Sequence, residues 1–162
     1  MASTKKARVT LPADADILII REFDAPPHLV WKAWTTPELI ERWWGSQRGR
    51  VTSVEVDLRV GGAWRYEMDA RGTVVAFRGE YREIEEPRRL VNTEIFESAP
   101  DAVSVITSTF EPIEDDRTRL EQLCSYPARE IRDMVIESGM EEGMQESMDA
   151  LEEVVVRLAA NG

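Results

Sequence analysis

The sequence has one cysteine, Cys124, so no disulfide can form within the chain. A reducing compartment such as the cytoplasm is the expected setting. It also has one histidine, His28. One thiol and one imidazole argue against a zinc site, and we expect no metal and no cofactor. Basic residues are in deficit: 20 Lys and Arg stand against 31 Asp and Glu, a formal net charge of −11. Nucleic acid is therefore disfavoured, because phosphate binding needs a basic face, and so is adsorption to anionic membranes. No apolar run is long enough to insert into a bilayer. The opening "MASTKKARVTLPADAD" has two lysines but no apolar stretch behind them, so it does not read as a secretory signal.

Chemistry-bearing motifs are equally scarce. No serine sits in a nucleophile-elbow pattern. "GAWRYEMDARG" joins two strands rather than a strand and a helix, so it is no dinucleotide fingerprint. His28 follows two prolines at the start of a short helix and reads as a surface residue. "EDD" at 114–116 is explained by a hairpin turn without a bound cation. Cys124 lies in a strand, where a buried, inert thiol is the default.

What the sequence does have is a core. Of 162 residues, 43% are hydrophobic and 31% charged, as in a globular domain. Residues 1–14 read as a flexible arm and 15–162 as one domain. "DILIIREFDA" is a strand. "APPHLVWKAWT" and "TPELIERWWG" are two short helices, each with proline at its start; Thr36 is the N-cap of the second and Gly45 its stop. "VTSVEVDLRV" alternates Val54, Val56, Leu58 and Val60 against charged residues, as a half-buried strand does. After Gly61-Gly62, "GAWRYEMDA" returns with Trp64, Tyr66 and Met68 on one face. "TVVAFRGEYREI" follows, with Val75, Phe77, Gly79 and Tyr81 together, and three more strands bring the chain to Tyr126. From Ala128 onward the apolar spacing turns helical, with a break at Ser138-Gly139. Met140, Met144 and Met148 then share one helical face.

This order gives an α+β fold. We expect a curved antiparallel sheet of about six or seven strands wrapped around a long C-terminal helix, with two short helices after the first strand. Such a sheet wraps a helix incompletely and leaves room for a cavity. Adjacent Trp43 and Trp44 cannot share a face. We expect Trp44 in the core and Trp43 at the cavity mouth. The alternation of "LVNTEIFE" puts Asn92, Glu94 and Phe96 on one side. On the inner face, Glu94 would be a buried carboxyl with a raised pKa; on the outer face it is plain surface, the reading we favour here. Gln122, on the same side as Leu120 and Cys124, carries the same ambiguity.

Three stretches carry a family resemblance: "REFDAPPHLVWKAWTTPELIERWWG", "VDLRVGGAWRYEM" and "ESGMEEGMQESMDALEEVV". In this order they resemble the SRPBCC, or START-like helix-grip, superfamily. The branch is the one similar to the C-terminal domain of the heat-shock-protein-90 ATPase activator. The resemblance spans about residues 15–160 and implies the helix-grip fold. Superfamily members bind lipids, sterols or hydrophobic metabolites, and some cyclise polyketides. Where the branch often has tryptophan near the start of its long helix, this chain has Met144, which implies a roomier or more adaptable pocket.

The expected function is binding of a small hydrophobic molecule between sheet and C-terminal helix. The expected ligand-binding residues are Trp43, Trp64, Tyr66, Met68, Phe77, Tyr81, Phe96, Met140, Met144 and Met148. A cyclase- or hydrolase-type enzyme in the same cavity is the alternative, with Glu94, Tyr66 and Tyr81 as candidate proton donors or acceptors. A chaperone-associated interaction module is a third reading, in which the acidic surface meets a protein partner. An exposed sheet edge also offers a route to a homodimer.

Overall fold

The computed structural model of the chain describes residues 6–45 and 48–161. Its elements are β1 (Arg8–Thr10), β2 (Asp16–Phe23), α1 (Pro27–Thr35), α2 (Pro37–Trp43), β3 (Arg50–Val56), β4 (Ala63–Ala70), β5 (Thr73–Glu85), β6 (Arg89–Phe96), β7 (Val103–Ile113), β8 (Arg117–Ser125), α3 (Arg129–Glu137) and α4 (Met140–Asn161). The eight strands form one antiparallel sheet in the order β1-β2-β8-β7-β6-β5-β4-β3. This is the α+β helix-grip architecture, with one strand more than the sequence suggested. The extra strand is β1: Arg8–Thr10 lie in the segment read as a flexible arm, yet Val9 pairs with Ile19 of β2. Three residues are too few to show a strand period, so the pairing partner and not local pattern makes this strand.

The helices follow from local chemistry. Pro37 opens α2 behind the extended Thr36, although the Thr36 hydroxyl makes no capping bond. Gly45 ends that segment at φ +62°, where a side chain would also press on the Met68 sulfur. Gly139 at φ +85° separates α3 from α4 as the spacing predicts. One expected strand is cut short. β3 ends at Val56, and Leu58 and Val60 are exposed in the turn that follows, Val60 by 66%. The alternation continues past the last ladder pair, Val56 with Trp64, so pattern alone overran the strand.

The core lies between the concave face and the helices. Ile17, Ile19, Phe23, Phe110 and Leu120 are buried from the β2–β8–β7 side, and Met148, Leu151 and Val155 from α4. α4 is tied to β1 and β2 on one side and to Gly45, the residue that follows α2 and Trp44, on the other. Arg21 of β2 meets Asp149 at 2.8 Å. The Asp24 N–H donates to Glu152, the Gln145 amide exchanges two hydrogen bonds with the Ala7 main chain, and the Gly45 N–H donates to Ser147. The side away from β2 is closed by rings. Trp44 meets Tyr66 and Phe77 edge-on, at centroid distances of 5.3 and 5.9 Å.

Gly79 marks the sharpest crowding in the sheet. A Cβ there would lie 1.9 Å from the Thr93 carbonyl oxygen and 2.6 Å from the Trp64 indole nitrogen. Gly143 on α4 has only the Arg48 side chain, 4.0 Å away. The same substitution should therefore act in opposite directions at these two sites. Gly79→Ala should cost about 2 kcal/mol or more by overpacking, and Gly143→Ala should gain about 0.5–1 kcal/mol from helix propensity. Thermal denaturation of both variants beside the parent checks the signs.

Candidate functional site

The site is built from the inner faces of β4, β5, β6 and β8. Antiparallel partners point to the same side, so register decides which residues meet. Tyr66 stands opposite Phe77, Phe77 opposite Phe96, and Tyr81 opposite Asn92. Asn92 pairs with Ile106, and Ile106 pairs with Cys124. Asn92, Glu94, Tyr66, Gln122 and Cys124 thus share the concave face.

Glu94 is inside, which corrects the surface reading. Burial pushes its pKa up to about 7. Among the described residues no hydrogen bond and no neighbouring charge offsets that cost. Its neighbours across the sheet have nothing left to give. Ser104, directly opposite on β7, donates its hydroxyl to the Glu94 main-chain carbonyl. Level with it on β5, between the Phe77–Phe96 and Tyr81–Asn92 pairs, is Gly79. The Trp64 indole lies close to Gly79 and donates its N–H to the Thr93 carbonyl. The carboxyl is surrounded by protein, yet Glu94 keeps intermediate exposure, and Tyr66 has the same double character. Both side chains thus line the concave face without being sealed in it.

Around Glu94 the titratable groups are all acids. The Tyr66 hydroxyl is held far above its usual pKa by burial, then by Tyr81 and Glu94. Cys124 and Tyr126 hydrogen-bond each other; burial raises both, and Glu94 adds to the effect. Cys124 is thus a neutral thiol, not a nucleophile. Tyr126 was missed in the sequence. Its signal was its place two residues beyond Cys124, on the same side of the strand.

The two adjacent indoles take roles opposite to those expected. Trp43 is the core residue. It stacks on Trp34 at 5.0 Å, and its N–H is spent on the Ala33 carbonyl at 3.0 Å. Trp44 is half-buried and faces Tyr66 and Phe77. α2 ends at Trp43, and the extended backbone of Trp44 swings its ring toward β4 and β5. Phe96 lies at the rim, 39% exposed and stacked on Phe77 at 5.1 Å. Trp64, Met68 and Tyr81 are buried, as is Met148, while Met140 and Met144 are half-buried against the core.

Two depressions of the surface lie elsewhere. One, about 380 Å³, is bordered by Glu55, Arg65, Arg78 and Glu80 beside Trp64 and Gly79. The other, about 420 Å³, lies by Asp24, His28, Asp115 and Asp116. Among the described residues no group of three or more His, Cys, Asp or Glu is arranged to hold a metal, and no helix is long and apolar enough to cross a membrane.

The raised Glu94 pKa has a consequence for stability. Between about pH 4.5 and pH 7 the unfolded chain has lost a proton that the folded chain keeps. Stability from this group therefore falls as pH rises through that window, by roughly 3 kcal/mol in full. Glu94→Gln should remove the penalty. Its melting temperature should exceed that of the parent by several degrees at pH 8, with little difference at pH 4.5. Melting curves at the two pH values test this, and an equal shift at both would refute it.

Comparison with known proteins places this geometry. The family described as activator of Hsp90 ATPase homolog 1-like protein matches residues 24–156. No curated protein matches. A crystal structure from Rhodobacter sphaeroides is 26% identical, with a TM-score of 0.85 over 96% of this chain and 99% of that one. A solution structure from Arthrobacter aurescens is 31% identical, with a TM-score of 0.82 over 93% and 91%. An HSP90 activator from Plasmodium falciparum is 25% identical, with a TM-score of 0.56 over 68% and 72%. The chain belongs to the family of activator of Hsp90 ATPase homolog 1-like proteins.

Proposed function

We propose that the protein binds a small, largely apolar molecule between the concave sheet face and α4. The observation that carries this is the state of Glu94 and Tyr66: both stand on the concave face and both keep partial exposure. Apolar and aromatic walls would supply most of the affinity, and a few polar groups the orientation. Trp44, Phe77 and Met144 are half-buried around the same interior and form those walls. Of the residues expected from sequence, Trp64, Tyr66, Met68, Phe77, Tyr81, Met140, Met144 and Met148 stay in this reading. Trp44 replaces Trp43, and Phe96 moves to the rim. The lone thiol is buried and neutral, which agrees with a cytoplasmic setting.

A second reading has one specific support, the likeness to an HSP90 activator. As a chaperone-associated module, the chain would meet its partner through its acidic surface, and association would weaken steeply with salt. Adding the chain to an Hsp90 at low salt should then raise ATP turnover. Unchanged turnover would remove this reading.

Native mass spectrometry of freshly purified protein tests the first reading. A reproducible small-molecule adduct, released on denaturation, is the expected result. Replacing Tyr66 with Phe and Met144 with Trp should lower its occupancy several-fold, the second by filling the space. An apo mass together with unchanged amide NMR shifts across a panel of apolar compounds would count against it.

A further inference from the structure

We propose that the ligand of this interior carries a basic nitrogen, and that Glu94 is its counter-ion. The inference rests on the reading of the interior as a ligand site and says which chemistry belongs there. A carboxyl inside a protein is ordinarily paired with a cation or held by hydrogen-bond donors. Glu94 has neither. Its closest sheet neighbours are Ser104, engaged by the main chain, and Gly79, which has no side chain.

Among the described residues the elements around it bring no uncommitted cation: Arg132 of α3 is buried, but it is held by Asp133 and the Ala13 carbonyl. β4 contributes Tyr66, β5 Tyr81, β8 Cys124, and the segment after β8 Tyr126. α3 and α4 contribute Val135, Met140, Met144 and Met148 to the core. The α4 carboxylates Glu146 and Asp149 are turned to Arg48 and Arg21. Arg21 is the inner-face cation of β2, and it is committed to Asp149. Among the described residues the Glu94 carboxyl thus has no cation, and the ligand supplies the missing partner.

The surrounding groups fit that partner. An ammonium would meet the carboxylate of Glu94 and the ring faces of the Trp44, Tyr66 and Phe77 cluster, which favour a cation. An anionic amphiphile such as a fatty acid would instead bring a second negative charge to an unpaired carboxyl, which is unfavourable at low dielectric. A neutral ligand would find only the protonated acid and gain one hydrogen bond.

Three probes of one shape separate these cases: naphthylmethylamine, naphthylmethanol and naphthoate, titrated calorimetrically into the intact protein at pH 6 and pH 8. The amine should bind at least about ten-fold more tightly than the alcohol at pH 8. Its affinity should rise roughly ten-fold from pH 6 to pH 8 as Glu94 ionises, while the alcohol stays level or weakens. In Glu94→Gln the alcohol should still bind, and the amine should lose both its advantage and its pH dependence. The pH dependence of the parent decides the question even if the variant folds poorly. Alcohol or naphthoate binding as tightly as the amine at pH 8 overturns the inference and leaves the interior site standing. No binding of any probe at millimolar concentration overturns both.

Discussion

The long helix α4 is held against one side of the sheet, and the interior takes its shape from that placement. Arg21 is the central tie. It is buried on the inner face of β2, where its guanidinium reaches Asp149 at the helix surface, while one of its nitrogens, Nη2, has no hydrogen-bond partner among the described residues. Burying a guanidinium is costly unless it is paired, so the contact fixes where α4 can lie. The bonds from Ala7 and Asp24 to the same helix act on that side, and the Gly45 N–H holds Ser147 from the β4 side. β1 extends the clamp, because pairing Arg8–Thr10 with β2 brings Ala7 to Gln145.

A sheet of eight strands offers more concave surface than one helix placed off-centre can cover. The remainder is closed from the far side by Trp44, Tyr66, Trp64 and Phe77, rings that meet edge-on or tilted instead of in close stacks. Edge contacts fix ring positions without filling the volume between them. Between this wall and the methionines of α4 lies the polar strip of β6 and β8. Its small groups are spent on the main chain: Ser104 on Glu94, Asn92 and the Trp64 indole on Thr93. Strand geometry therefore uses up the donors that flank Glu94 on β6 and β7, while its carboxyl has no partner among the described residues.

Much of this was legible before any coordinate. Proline at helix starts, glycine at helix ends and two-residue alternation placed α1, α2 and most strands, because those signals are local. Where the signal was not local, the reading went astray. β1 exists only through its partner. Which indole of Trp43–Trp44 enters the core depends on whether the helix stops before or after Trp44, a single-residue boundary. The side taken by Glu94 was undetermined because "LVNTEIFE" is amphipathic in neither direction: buried Leu90, Val91, Asn92 and Thr93 occupy both faces. Arg21 could have been found, since it alternates with Ile17, Ile19 and Phe23, but a charge in that series reads at first as an interruption.

The charge of the whole chain bears on the unpaired carboxyl. A formal charge of −11 surrounds the interior with negative potential, which draws cations toward its entrance and repels anions. That long-range preference has the same sign as the local one at Glu94. A site built for a fatty acid would have the two opposed, with the surface repelling what the interior must hold. Here the outer field and the inner carboxyl select the same charge. The stability lost by burying Glu94 unpaired then has a return only in the bound state, where a ligand cation restores the missing partner.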